Sequence, residues 1–156
     1  MIEISDSYLK YTIISARSLL WFSDVIVMGM CSYFINKYDR GQHITYDIVI
    51  STIGIVFHLP GFCSPFFTRL AWISLPIDVV WSYFYLTGFV FAAEDYNWQK
   101  CSENAPPGAS CGKKRTLEAF LFFGFICSLA AAVAETWKVH QQNVRKNSLP
   151  APKEIA

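Results

Sequence analysis

The sequence predicts an all-α integral membrane protein, a four-helix transmembrane bundle with both termini cytosolic. Three observations carry that prediction. Hydrophobic residues make up 53% of the 156-residue chain and charged residues only 16%, against about 25% charged in a soluble domain. Four apolar runs, residues 18–35, 48–67, 70–93 and 117–137, each approach the roughly 20 residues that cross about 30 Å of hydrocarbon. Between the last two runs lies a polar loop with two cysteines, Cys101 and Cys111. The formal net charge of +1 offers no basic footprint for nucleic acid.

The first ten residues mix Glu3, Asp6 and Lys10 with apolar side chains. An acidic start and a run ending in Ser32-Tyr33-Phe34-Ile35 do not fit a cleaved signal peptide, so the first run is expected to be a retained helix, extending back as far as Tyr11. A polar connector, residues 36–47, follows. The second run carries His58, Pro60-Gly61 and Pro65. Proline removes a backbone donor and clashes with the preceding turn, so a kink is expected near Pro60. The alternative is a helix that ends early, with residues 60–68 re-entrant. Thr68-Arg69 is the polar break before the third run, which implies a tight antiparallel hairpin. The third run holds Pro76, Asp78 and a series read as an aromatic belt, Trp81, Tyr83, Phe84, Tyr85, Phe89 and Phe91. Trp72, Trp98 and Trp137 read as interface anchors.

Gly88 and Ala92 in the third run, and Gly124, Ser128 and Ala132 in the fourth, recur at four-residue spacing. Small residues at that spacing let helix backbones approach closely in lipid, so these are expected helix-packing faces. The chain divides into a four-span membrane domain, 1–137, and a polar cytosolic tail, 138–156, expected to be largely disordered past its first turns.

Four spans place both termini on one side. Lys and Arg counts on the two sides, seven against six, do not orient the chain under the positive-inside rule. The cysteines do. Cys101 and Cys111 are close enough in sequence to bridge, and disulfides persist in oxidising compartments, so the loop faces outward or into a lumen. Closing so short a loop would contribute about 2–3 kcal/mol in the chain-entropy model. Cys31, Cys63 and Cys127 lie in apolar runs and read as small hydrophobes or acylation sites.

Charged residues inside a span are costly and are site candidates. Arg17, Asp24, Asp78 and Glu135 fall in the cytosolic half of the proposed bundle, and His58 near its middle. Two readings stand. Arg17 neutralises one or both carboxylates between helices, or Asp24, His58 and Asp78 form a proton or cation path. Enzyme chemistry finds no support: there is no Cys-x-x-Cys, no pair of in-span histidines, no metal-ligand spacing, no phosphate-binding glycine loop and no nucleophile elbow. No cofactor or metal is expected. Lys113-Lys114-Arg115 reads as a solvated helix start.

The short Thr68-Arg69 turn and the long outer loop with its cysteine pair resemble the MARVEL-domain family, its fungal members most closely. The passage Cys111-Gly112-Lys113-Lys114-Arg115-Thr116-Leu117-Glu118-Ala119-Phe120-Leu121-Phe122-Phe123 is similar to the start of the fourth helix in those proteins. The resemblance implies a role in membrane subdomains, vesicle trafficking or tight membrane apposition, with no shared catalytic residues. The expected function is therefore a non-enzymatic organiser in the plasma membrane or secretory pathway, with membrane lipids, other membrane proteins or itself as partners. The alternative is a small transporter or channel-like subunit that uses the in-span carboxylates.

Overall fold

The computed structural model describes residues 6–38, 41–97, 100–101, 103–104 and 106–148. Among these are four α-helices, α1 (Asp6–Lys37), α2 (Gln42–His58), α3 (Thr68–Asn97) and α4 (Cys111–Ser148). Each belongs to a segment long and apolar enough to cross a membrane. Trp98 and the tail prolines Pro150 and Pro152 lie outside the described residues.

The helices pack along one repeating pattern. On α1 the fully buried positions are Ile13, Arg17, Leu20, Asp24, Val27, Cys31 and Phe34, alternating steps of four and three. On α2 they are Ile44, Asp47, Ser51, Gly54, His58, continued by Gly61 beyond the helix end. On α3 the same rhythm buries Ala71, Ser74, Asp78, Trp81, Tyr85, Gly88 and Ala92, and on α4 Lys114, Leu117, Leu121, Gly124, Ser128, Ala131, Glu135 and Lys138. Steps averaging about 3.5 residues keep one seam of each helix facing its neighbours and give a left-handed bundle. The seams are rich in polar and small residues. The large apolar side chains point the other way, with Phe22, Val56, Trp72, Tyr83, Phe123 and Val133 more than half exposed. Such an arrangement suits a chain solvated by lipid, where polar groups are satisfied inside or not at all.

Two boundaries differ from the sequence expectation. First, α2 starts at Gln42, so Asp47 belongs to a helix and not to the polar connector. Polarity marks a loop only when the helix interior is apolar, and here it is not. Second, the α-helix ends at His58 and is followed by a short 3₁₀ turn, Pro60–Cys63. The expected kink is thus replaced by the early ending. Pro60 has no N–H to continue the ladder, and the chain tightens into bonds from Phe62 N to Leu59 O at 3.2 Å and from Ser64 N to Gly61 O at 3.0 Å. At 17 residues, α2 is only about 25 Å long, whereas the 32 residues of α1 reach about 48 Å. The four-residue 3₁₀ corner adds about 8 Å, which brings the segment to the roughly 30 Å of the hydrocarbon core. At the other end of the chain, α4 passes residue 137 without a break and ends at Ser148.

The aromatic series on α3 also divides. Tyr83 is exposed, but Trp81 and Tyr85 are buried. A helix cannot hold consecutive aromatics on one face, and the seam period takes Trp81 and Tyr85 inside. The small residues likewise serve the interior. A Cβ on Gly124 would lie 2.9 Å from the Tyr85 ring, and one on Gly88 would lie 2.6 Å from Asp47 Oδ1 and 3.3 Å from Leu121. Ala92, Ser128 and Ala132 are buried. These faces bring the protein's own helices together, so they are not free for lateral contacts.

Gly29, by contrast, has open space around it, with nothing within 4 Å of the point a Cβ would occupy. Gly124→Leu should therefore destabilise the bundle by about 1–3 kcal/mol through overpacking, while Gly29→Leu should stay within about 0.5 kcal/mol of wild type. Unfolding midpoints in graded SDS would separate the two, and equal midpoints would contradict this packing.

Candidate functional site: a polar seam inside the bundle

Arg17, Asp24 and Cys31 sit seven residues apart on α1, about 10 Å apart along the axis. They divide the interior into three layers.

The layer nearest the chain termini is ionic. Arg17 Nη2 lies 2.7 Å from Asp78 Oδ2 on α3 and 2.7 Å from Glu135 Oε1 on α4. All three side chains are at most 1% exposed. The 3₁₀ corner completes the layer. Ser64 donates its hydroxyl to Glu135, and Lys138 Nζ donates to the carbonyls of Pro65 at 2.6 Å and Ser64 at 3.3 Å. Gly61 makes this possible, because a Cβ there would overlap the Arg17 guanidinium. One cluster therefore ties α1, α3, α4 and the corner together. Two cations and two carboxylates balance, which offsets the desolvation that any one of them would suffer alone.

The middle layer is built on Asp24. His58 Nδ1 lies 2.8 Å from Asp24 Oδ2, and the Tyr85 hydroxyl donates to Asp24 Oδ1. Trp81 packs edge-on against His58 with ring centres 5.6 Å apart. Gly54 lets them close up, since its Cβ would fall 2.8 Å from Trp81 Nε1 and 3.0 Å from each Asp24 oxygen. Arg17 reaches Asp78 and Glu135 but its hydrogen bonds do not include Asp24. The five charged and polar candidates thus form two groups, Arg17–Asp78–Glu135 and Asp24–His58.

The outer layer holds Asp47 beneath the loop. Above it, Cys101 and Cys111 form a disulfide with Cα atoms 5.9 Å apart. Gly108 turns the loop with a φ of +78°, a conformation that favours glycine. Lys114 is buried, contrary to the solvated start expected for Lys113-Lys114-Arg115. Its ammonium donates to the carbonyls of Cys101 at 2.7 Å and Asn104 at 2.8 Å, fastening the loop to the seam. Lys113 lies over the Tyr33 ring at 4.0 Å. Cys31 and Cys127 are buried and Cys63 is exposed. Among the described residues no group of three His, Cys, Asp or Glu is placed to hold a metal ion.

Composition and span position do not single out Asp47, Ser64, Tyr85, Lys114 or Lys138, all of which the structure brings into the seam. Asp47, Ser51, Gly54, His58 and Gly61 are spaced by four, three, four and three. That recurrence of polar and small residues in an apolar run is the signal that could have found the seam.

The family model described as "MARVEL: Membrane-associating domain" matches residues 10–134. No curated protein and no solved structure matches the chain.

The ionic layer yields a direct test. Arg17→Met strands two buried carboxylates and should cost about 3–5 kcal/mol. Replacing all four charged members together, R17M with D78L, E135M and K138M, should recover most of that loss, because an apolar set of similar volume removes the charges as well. SDS unfolding midpoints would measure both, and an R17M midpoint equal to wild type would mean the cluster contributes no stability.

Proposed function

The chain belongs to the MARVEL family of membrane-associating domains, and on that premise we propose that it is a non-enzymatic organiser of membrane subdomains or of trafficking. It acts through lateral association with lipids and with other membrane proteins or further copies of itself. The observation that carries the reading is the division of the surface. The in-span charges and the small-residue faces of α3 and α4 are used inside the bundle, and what faces outward is mainly a belt of large apolar side chains topped by a disulfide-closed loop. A lipid-facing groove of about 310 Å³ between α1 and α4, lined by Leu19, Ser23, Ala119, Phe120 and Phe123, is of a shape and chemistry to seat an acyl chain. The belt supplies lipid contacts and the loop supplies specificity.

The disulfide supports an orientation with the loop outside or in a lumen and both termini cytosolic, in the plasma membrane or a secretory-pathway membrane. The competing reading, a small transporter or channel-like subunit, draws on Asp24, His58 and Asp78. The ion pairs of Arg17 with Asp78 and Glu135 weigh against it, since carboxylates held by a guanidinium are poorly placed to pass a cation along.

Two measurements test the proposal. A membrane-impermeant alkylating reagent applied to intact cells should label Cys101 and Cys111 only after reduction, and labelling that requires permeabilisation would invert the topology. In native membranes, exchanging residues 100–110 for a Gly/Ser linker should disperse the tagged protein's clusters while leaving membrane insertion intact. Clusters of unchanged size and lifetime would remove the loop from the mechanism.

A further inference from the structure

We infer that Asp47 is a membrane-buried proton-binding site, holding a proton in the folded protein and exchanging it through the loop end of the bundle. Asp47 is 1% exposed. Its Oδ1 has no hydrogen-bond partner, and among the described residues its side chain makes no ion pair. The hydroxyl of Ser51 bonds the Asp47 backbone carbonyl and not the carboxyl. The other buried charges are engaged. Arg17 holds Asp78 and Glu135, Asp24 has His58 and Tyr85, and Lys114 and Lys138 bind carbonyls.

Among the described residues, no ion pair and no hydrogen bond to Oδ1 stabilises a negative charge on Asp47. Its carboxyl lies against the open Cα of Gly88, where Leu121 and Ile50 also converge. The titratable groups within electrostatic reach are Cys31 from α1, Tyr46 on α2 itself, and Asp95 and Tyr96 from α3. None of these carries a positive charge, and Asp95 adds a second negative one. From α4, Leu121 is apolar, and the Lys114 ammonium sits 5.9 Å from the Tyr96 ring centre, donates to two loop carbonyls and interacts with Asp95. An isolated carboxylate in such a medium costs so much solvation that the group takes up a proton instead.

The nearest opening to solvent lies at the loop end of α2. Asp47 is five residues into α2, about 7.5 Å from its start. At the rim above it lies a hollow of about 230 Å³ lined by Gly41, Gln42, His43, Ile44 and Asp95. There His43 Nδ1 lies 2.8 Å from Asp95 Oδ2, and both side chains are partly exposed. The Asp95 carboxylate of that pair is within electrostatic reach of Asp47. Toward the termini, the next polar layer on the seam is Asp24–His58–Tyr85, whose groups bond one another.

A protonated carboxyl in an apolar site reacts with dicyclohexylcarbodiimide. The carboxyl oxygen bonds the central carbon, its proton passes to one nitrogen, and the O-acylisourea rearranges to a stable N-acylurea with nothing released. The full chain in lipid nanodiscs, treated at pH 7 and mapped by peptide mass spectrometry, should carry the adduct on Asp47. The yield should exceed that at exposed Glu103 by at least about tenfold, because the reagent needs a carboxyl that carries its proton in an apolar site. Infrared spectra at pH 7 should show the carbonyl stretch of a carboxylic acid, lost in Asp47→Asn. Absence of both the Asp47 adduct and the acid band, with helix content and disulfide intact, would overturn the inference. So would an acid band that survives unchanged in a folded D47N, which assigns the proton elsewhere. Should D47N fail to fold, adduct mapping on the wild-type chain decides alone.

Discussion

The buried guanidinium of Arg17 is the constraint on which the rest of the bundle depends. In hydrocarbon a cation cannot be left without anions, and Arg17 takes one from α3 and one from α4 through a single nitrogen. That demand fixes the rotation of three helices at once. Placing Asp78 and Glu135 inward sets the seam of α3 and α4, and the three-and-four spacing then carries it along each helix. It also explains the 3₁₀ corner. Glu135 and Lys138 need partners where α2 has run out, and the chain at residues 61–65 supplies a hydroxyl, two carbonyls and a glycine against the guanidinium. A continuous α-helix through Pro60 would have kept most of those carbonyls in its own ladder.

The fold is legible in the sequence because length and hydropathy are direct reports of a lipid environment. Residues 18–35 or 117–137 need no tertiary information to be recognised as spans. Helix ends are less legible, and for one reason. A boundary is read where polarity rises, but His43 and Asp47 rise in polarity while remaining helical, His43 at a partly exposed rim and Asp47 on the buried seam. The same confusion hides Lys114, whose neighbours Lys113 and Arg115 are solvent-facing, and Lys138, which follows the last apolar run by one residue. The spacing of the cysteines does convey their pairing, since ten residues of polar loop leave the two thiols few other places to be.

The candidate site shows the limit from the other side. Composition singles out Arg17, Asp24, His58, Asp78 and Glu135, because each is expensive in a span. Which of them pair depends on rotation about the helix axis and on where α2 stops. Arg17 and Asp24 share a face of α1 but sit two turns apart, too far for one guanidinium to serve both Asp24 and Asp78. Tyr85 passes for part of a belt because a run of aromatics says nothing about which member faces in. Only the four-residue step from Trp81, placing both against the Asp24–His58 pair, distinguishes it from Tyr83.

A bundle built this way has consequences for how it can associate. In lipid, apolar side chains gain little by leaving acyl chains for another protein, so an outward belt of Phe, Val and Trp is not by itself a driving force for assembly. The usual device, a stripe of small residues, is consumed here: Gly88 receives Asp47, Gly124 receives Tyr85, and Gly54 receives Asp24 and Trp81. The charged side chains Arg17, Asp24, Asp47, Asp78 and Glu135 are likewise turned inward, and the exposed hydroxyl of Thr52 bonds the Ile48 carbonyl of its own helix. On the proposed reading, lateral selectivity comes from shape, as in the groove beside Leu19 and Phe123, and from the polar loop. The loop is suited to that task because it is doubly fixed, by a disulfide at its ends and by the Lys114 ammonium beneath it. A contact surface held in place before binding loses less conformational freedom on binding. Lys114 is thus where the interior seam and the outer surface meet, and the chemistry that satisfies the membrane-buried charges also presets the face offered to partners.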